Sequence, residues 1–203
     1  MYKYLFIFTL LFNGFCFAQR DTTKYNRLDE LIQDGKRYAI HNNYLTAGFG
    51  FAYSSVRDLE QSTIGIDYVF HIKRNHFNAG VLMSGKEFLS NNNIQGHLCY
   101  GYRIEDERKN IAFFAGPSYN TGVLPPVFRD TDTIPARIYD AIGLYASASY
   151  IRKITYDIGF GVVGVFEINN IQVFAGIKAI VFFSGAYRGK AKIYNKHVKR
   201  RVK

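Results

Sequence analysis

Between Asn43 and Phe183, apolar residues recur at every second position in eight separate runs. Leu45, Ala47, Phe49, Phe51 and Tyr53 alternate with Thr46, Gly48, Gly50, Ala52 and Ser54. Ile64, Ile66, Tyr68, Phe70 and Ile72 alternate with Gly65, Asp67, Val69 and His71. The third run is Phe77, Ala79, Val81 and Met83; the fourth is Ile94, Leu98, Tyr100 and Tyr102. Ile111, Phe113, Ala115, Pro117 and Tyr119 make the fifth, and Ile142, Leu144, Ala146, Ala148 and Tyr150 the sixth. The seventh is Tyr156, Ile158, Phe160, Val162 and Phe166, and the eighth runs from Ile171 through Val173, Ala175, Ile177, Ala179 and Val181 to Phe183. A period of two belongs to strands whose faces meet different surroundings. Each run is near the ~9–11 residues that a tilted strand needs to cross a bilayer.

The connections alternate in length. Short ones lie at Lys73, Arg74 and Asn75, at the charged turn EDERKN (residues 105–110), and at Arg152 and Lys153. Longer ones cover residues 56–61 and 84–93, and a third, residues 121–137, is bounded by Thr121 and Arg137 and holds Pro125, Pro126 and Pro135. Only EINN, between the seventh and eighth runs, breaks the trend. An even strand number places both termini on the short-turn side, the usual arrangement of an outer-membrane barrel. Ahead of the strands, Tyr25, Leu28, Leu31 and Ile32 recur at helical spacing, with Asp29, Glu30 and Gln33 between them. This spacing predicts a short amphipathic helix within residues 25–40, weakened by Gly35. Residues 1–18 read as a secretory signal peptide: Lys3, an apolar stretch from Leu5 to Phe12, and Cys16-Phe17-Ala18 before Gln19. The expected organisation is therefore a signal at 1–18, a lead-in at 19–42, a barrel at 43–187 and a tail at 188–203, with no second domain.

Alternation alone fits two barrels. In a soluble lipocalin-like carrier the aromatic face lines a ligand cavity; in a membrane barrel it meets lipid. The other face decides between them. It carries Gly48, Gly50, Gly65, Gly80, Gly101, Gly116, Gly143, Gly159, Gly161 and Gly176 among Ala, Ser, Thr and a few charges. Glycine solubilises nothing on a water-facing surface, whereas the inside of an eight-stranded barrel is only just wide enough for its side chains. Tyr68, Tyr100, Tyr102, Tyr119, Tyr150 and Tyr156 are the expected interfacial tyrosines. The fold class is thus all-β: an eight-stranded antiparallel up-and-down transmembrane β-barrel with a short N-terminal helix and a basic C-terminal tail. The signal peptide, the eight alternating runs and the loop asymmetry resemble the small outer-membrane barrels of the OmpA/OmpX/OmpW type, over about residues 43–183. That resemblance implies a place in the Gram-negative outer membrane and carries no functional residue across. One departure is that such barrels commonly end at an aromatic residue, whereas here about twenty residues follow Phe183.

The formal net charge of +10 changes this picture little, because it is unevenly placed. Lys3 belongs to the signal, and Arg188, Lys190, Lys192, Lys196, Lys199, Arg200, Arg201 and Lys203 form a tail without an acid. Setting these nine aside leaves 17 Lys and Arg against 16 Asp and Glu. The body is nearly neutral, which argues against nucleic acid as a partner. Outer-membrane lipid is the expected partner, and an acidic envelope protein could dock on the tail or the residue 121–137 loop.

Few charges fall on the glycine-bearing face. Asp67, Arg103, Glu105, Asp157 and Lys178 are the candidates for an interior ion-pair network, since charge in a narrow lumen must be paired. Register set from EINN makes Asp157 and Lys178 diagonal neighbours. A structural plug is the plain reading of this network, and a gated conduction path the sharper one. His71 and His76 are expected to face each other across the short turn between the second and third runs, but His97 lies farther up the barrel, so no metal site and no cofactor is expected. With the signal removed, Cys99 is the remaining cysteine and reads as a small buried filler. No phosphate-binding loop, Cys-x-x-Cys or His-Glu-x-x-His is present, and no enzymatic activity is expected. The sequence thus points to an outer-membrane barrel with a filled lumen and a structural or interaction role. Two alternatives stand beside it: an accessory barrel of a protein-export, gliding or barrel-assembly machine, and a soluble periplasmic carrier of an apolar ligand.

Overall fold

The computed structural model describes residues 30–33, 36–39, 42–56, 59–72, 75–85, 93–124, 126–128 and 133–190. Two short strands, β1 (Glu30–Gln33) and β2 (Lys36–Ala39), come first. Five long strands follow: β3 (Tyr44–Ser54), β4 (Leu59–Ile72), β5 (Asn75–Gly85), β6 (Asn93–Glu105) and β7 (Lys109–Leu124). After the two-residue β8 (Val127–Phe128) and β9 (Thr133–Ile134) come β10 (Arg137–Lys153), β11 (Ile158–Asn169), β12 (Val173–Phe183) and the short β13 (Tyr187–Lys190). The eight long strands form a closed antiparallel barrel in chain order. It is sealed where β12 meets β3, with Ala179 opposite Phe49 and Phe183 opposite Leu45. All eight predicted runs are strands of this barrel.

Alternation fixes which residues look out. Phe49, Phe51, Ile66, Leu98, Phe160 and Ile177 are each more than half exposed, while their neighbours Gly50, Gly65, Asp67, His97, Gly159 and Lys178 are buried or half-buried on the inside. The aromatic face is therefore the outer face, and the lipocalin-like reading, which needs it lining a cavity, does not hold. The outward charges mark the limits of the apolar surface. On β10 Asp140 stands near the long-loop end and Arg152 near the short-turn end, twelve positions apart, with only uncharged side chains outward between them. At ~3.4 Å per residue and a tilt near 45°, that spacing is about 29 Å along the barrel axis, the thickness of a bilayer core. No other strand puts a charge on its outer face inside this band among the described residues. Near the short-turn end, Phe70, Phe77 and Tyr100 line up across β4, β5 and β6 with ring centroids 5.4 and 5.6 Å apart, and Tyr68 stacks on Phe70 at 5.9 Å. This row is an aromatic girdle. Tyr156 is not part of it: the residue is buried, with its ring 5.5 Å from that of Tyr38.

Three further expectations change. The stretch read as a helix is a hairpin where it is described: β1 pairs antiparallel with β2, Gln33 opposite Lys36. Between those partners the sequence is Asp34-Gly35, a dipeptide that favours two-residue hairpin turns, and pairing to β13 completes a three-stranded sheet. That local signal and the third strand outweigh a short run of helical spacing. No helix occurs among the described residues. The tail does not begin as a free extension, because Arg188 and Lys190 belong to β13. The long loop is shorter than expected, since Thr121 to Leu124 stay paired with Arg137 to Asp140. The signal peptide, the earlier part of the lead-in and residues 191–203 lie outside the described residues.

Candidate functional site: the polar interior

The inner face is polar in three tiers, each built from positions that the strand period turns inward. In the middle tier Asp67 on β4 accepts from Lys178 on β12, Nζ to Oδ2 at 3.2 Å, and meets His97 Nε2 of β6 through Oδ1 at 2.9 Å. Asp67 and His97 are not on adjacent strands. Between them stands Gly80 of β5, opposite Asp67 on one side and His97 on the other. A Cβ on Gly80 would come within 2.7 Å of His97 Nε2 and closer still to the Asp67 carboxylate, and one on Gly65 would lie 2.8 Å from Lys178 Nζ. The bare glycine backbone is what lets these side chains cross a strand and touch. Lys178 is 1% exposed, and the His97 ring lies flat on Tyr145, centroids 4.0 Å apart.

Toward the long-loop end, Glu167 of β11 reaches over Gly143 to β7. Its Oε1 accepts from Ser118 Oγ (3.1 Å), Asn169 Nδ2 (3.2 Å) and Asn120 Nδ2. Above it, Tyr139 donates to Asn93 (3.1 Å) and Ser54 to Gln172 (2.8 Å). Toward the short-turn end, Glu105 takes both Arg103 (2.8 Å) and Lys153. The Arg103 guanidinium lies 4.6 Å over the Tyr44 ring, and the Lys153 ammonium 3.7 Å over that of Tyr156. A cavity of about 20 Å³ remains between the middle and lower tiers, lined by Thr46, Asp67, Asn78 and Ser147 among others. It is room for about one water.

Of the five residues named from sequence, four fall into two of these clusters: Asp67 with Lys178, and Arg103 with Glu105. Asp157 joins neither, which corrects its expected place beside Lys178. β11 starts at Ile158, and Val163 is the β11 residue opposite Lys178. Asp157 instead clamps the short-turn rim, accepting from Ser184 Oγ (3.0 Å) and the Ala186 amide (2.6 Å). There the segments before β3 and after β12 are also tied together by Ala39 N to Ala186 O (2.8 Å) and Asn42 Nδ2 to Ser184 O (2.5 Å), and Arg103 Nη1 donates to Asn42 O (2.9 Å). Glu167 and Lys153 are interior charges that the sequence does not single out, because both stand among turn-like residues at strand ends. Strand parity, continued one residue past Phe166 and three past Tyr150, turns them inward.

His71 and His76 do stand opposite each other, ring centroids 6.2 Å apart, while His97 is opposite Gly80 higher in the barrel. Among the described residues no group of three His, Cys, Asp or Glu side chains is placed to hold a metal ion. Cys99 is buried, 1% exposed. Of the basic tail, Arg188 and Lys190 are exposed on β13, and Lys192, Lys196, Lys199, Arg200, Arg201 and Lys203 lie outside the described residues.

The sequence matches no family model and no curated protein. Solved structures do match in fold. Neisserial surface protein A superposes with a TM-score of 0.52 at 12% identity, over 70% of this chain and 96% of that one. The N-terminal β-barrel domain of Pseudomonas aeruginosa OprF gives 0.46 at 12% identity, over 70% and 98%. Ail, the attachment invasion locus protein of Yersinia pestis, gives 0.45 at 7%, over 73% and 99%. With its closed eight-strand topology, apolar outer band and polar inside, this chain has the fold of the small outer-membrane β-barrels.

Proposed function

We propose that the chain is an outer-membrane β-barrel with a filled lumen, whose role is structural or one of interaction, neither catalytic nor conductive. The observation that carries this reading is the inversion of polarity. An unbroken apolar band about one bilayer thick surrounds the closed sheet, and the described interior is filled with hydrogen-bonded and ion-paired side chains. The export signal read in residues 1–18 supports the same destination. An even strand count then turns both chain ends, and the three-stranded sheet, to the periplasm. Among the described residues the buried carboxylates Asp67, Glu105 and Glu167 are all engaged within the interior by hydrogen bonds or ion pairs, which supports a structural role for them.

Planar-bilayer recording tests the filled lumen. On the filled-lumen reading, with three side-chain tiers across the described interior, the purified, folded chain is expected to add no conductance steps to the bilayer baseline. Steady open-channel current from folded protein would contradict the plug reading and favour the gated path.

An accessory role in an envelope machine is supported by one specific feature, the sheet β1-β2-β13 at the rim. Among the described residues both of its outer strands pair on one side only, and an edge of that kind offers backbone to a partner.

A further inference from the structure

The exposed charges of the described residues are not shared evenly between the two ends of the barrel. At the short-turn end Lys36, Arg108, Lys109, Arg152, Arg188 and Lys190 are exposed, against the acids Asp106 and Glu107. At the other end the exposed charges among the described residues are Arg137 and Asp140. Two arrangements within the basic group are unfavourable as they stand. Lys109 is directly opposite Arg152 across β7 and β10, and Lys36 directly opposite Lys190 across β2 and β13. Like charges facing each other across an antiparallel ladder repel, and an anion between or beside them would relieve that repulsion.

The position of the two pairs says which anion. Lys109 and Arg152 lie on the outer, lipid-facing surface at the boundary of the apolar band, where the surroundings change from acyl chains to headgroups. The second pair stands on strands anchored at that same end of the barrel. Its sheet is fastened to the rim by the Ala39 to Ala186 hydrogen bond, by the Asp157 clamp and by the Tyr38–Tyr156 contact. Charges this close to a membrane surface act together, since screening extends over about 8–10 Å. The sequence then adds Lys192, Lys196, Lys199, Arg200, Arg201 and Lys203 directly after β13.

We propose that this rim and its docked sheet form a binding surface for anionic phospholipid headgroups of the periplasmic leaflet, with Lys109/Arg152 and Lys36/Lys190 as its two phosphate-gripping pairs. The proposal rests on the membrane reading above. It makes the added sheet a second foothold on the leaflet, one that holds the barrel against tilt and vertical movement. Lysine and arginine suit the task because their long apolar stems can lie along the barrel wall while the charged ends reach the phosphates.

Native mass spectrometry of the full mature chain, released from vesicles of equal phosphatidylcholine and phosphatidylglycerol, tests it. Phosphatidylglycerol is expected to be retained over phosphatidylcholine, with a preference falling about fivefold for each cation removed, the equivalent of ~1 kcal/mol per basic residue near the surface. K109Q/R152Q and K36Q/K190Q should each lower the preference, and raised salt should lower it further. Equal retention of the two lipids, or a preference that neither double variant changes, would overturn the proposal. So would a polyglutamate peptide that binds the protein more tightly than phosphatidylglycerol does, which would make an acidic protein the occupant. All the substituted side chains are exposed, and a heat-shifted gel band confirms a folded barrel in each sample. A failure of the membrane reading, with no such band and no insertion, is thereby distinguished from a folded barrel without lipid preference.

Discussion

Asp67→Asn is expected to destabilise the folded barrel by about 3–5 kcal/mol, because it strands the Lys178 ammonium in the interior. The exchange is nearly isosteric, so packing around Gly80 is kept and the loss is electrostatic. Lys178 Nζ is given the Asp67 carboxylate as its salt-bridge partner, at 3.2 Å, and at 1% exposure water cannot replace it. The companion variant carries the argument. In Asp67→Asn/Lys178→Met both charges are gone, the methionine occupies the lysine's path over Gly65, and the amide can still meet His97. Replacing a whole buried pair is far cheaper than breaking it, so the double variant should recover most of what the single one loses. Urea titration of the heat-shifted band, in vesicles, reads both. If the double variant were as unstable as the two single changes added together, the pair would not be coupled and the middle tier would not act as a unit.

The second large effect is on the outside. Ile66 is 55% exposed near the middle of β4, far from both charge boundaries of the apolar band. Ile66→Arg should cost about 2–4 kcal/mol in a bilayer, the cost of arginine at midplane depth on a barrel's lipid face. Ile138 is still more exposed at 79%, but it lies beyond Asp140, at the long-loop boundary. Ile138→Arg should therefore cost no more than about 1 kcal/mol. Exposure by itself ranks the two sites the other way. A soluble barrel would accept both changes within about 0.5 kcal/mol, as water-facing surfaces do. Guanidinium-driven unfolding from vesicles, compared for the two variants, distinguishes depth in a membrane from plain surface exposure.

How much of this could be read from the chain follows from what each part depends on. The eight barrel strands were legible because their two faces differ in kind: Phe49, Ile66 and Ile177 against Gly50, Gly65 and Lys178. A period of two that separates aromatics from glycines survives any uncertainty about strand ends. Turn boundaries were less legible, and each error in the interior was an error of boundary. Extending the seventh strand back to Tyr156 placed Asp157 inside, when it is a rim residue. Ending that strand at Phe166 and the sixth near Tyr150 hid Glu167 and Lys153. Charged side chains at strand ends resemble turn residues, and only the partner's length decides how far the ladder runs. The β1–β2 hairpin is not legible in the sequence for a different reason. Its pairing depends on β13, more than a hundred residues away, and no local window contains that information. The contact of Asp67 with His97 needed three strands in register, with a glycine in the middle one. Gly80 was read from the sequence as a space-saving residue; its position between two ionisable groups is a property of the assembled sheet.

The claim on which the rest depends is that the apolar band lies in the outer membrane. Separation of inner-membrane, outer-membrane and soluble fractions, followed by gel electrophoresis of unboiled and boiled samples, tests it most directly. The account expects the protein in the outer-membrane fraction, with a band that changes mobility on boiling as the closed barrel unfolds. Recovery in the soluble periplasmic fraction, as a band that boiling does not shift, would contradict it.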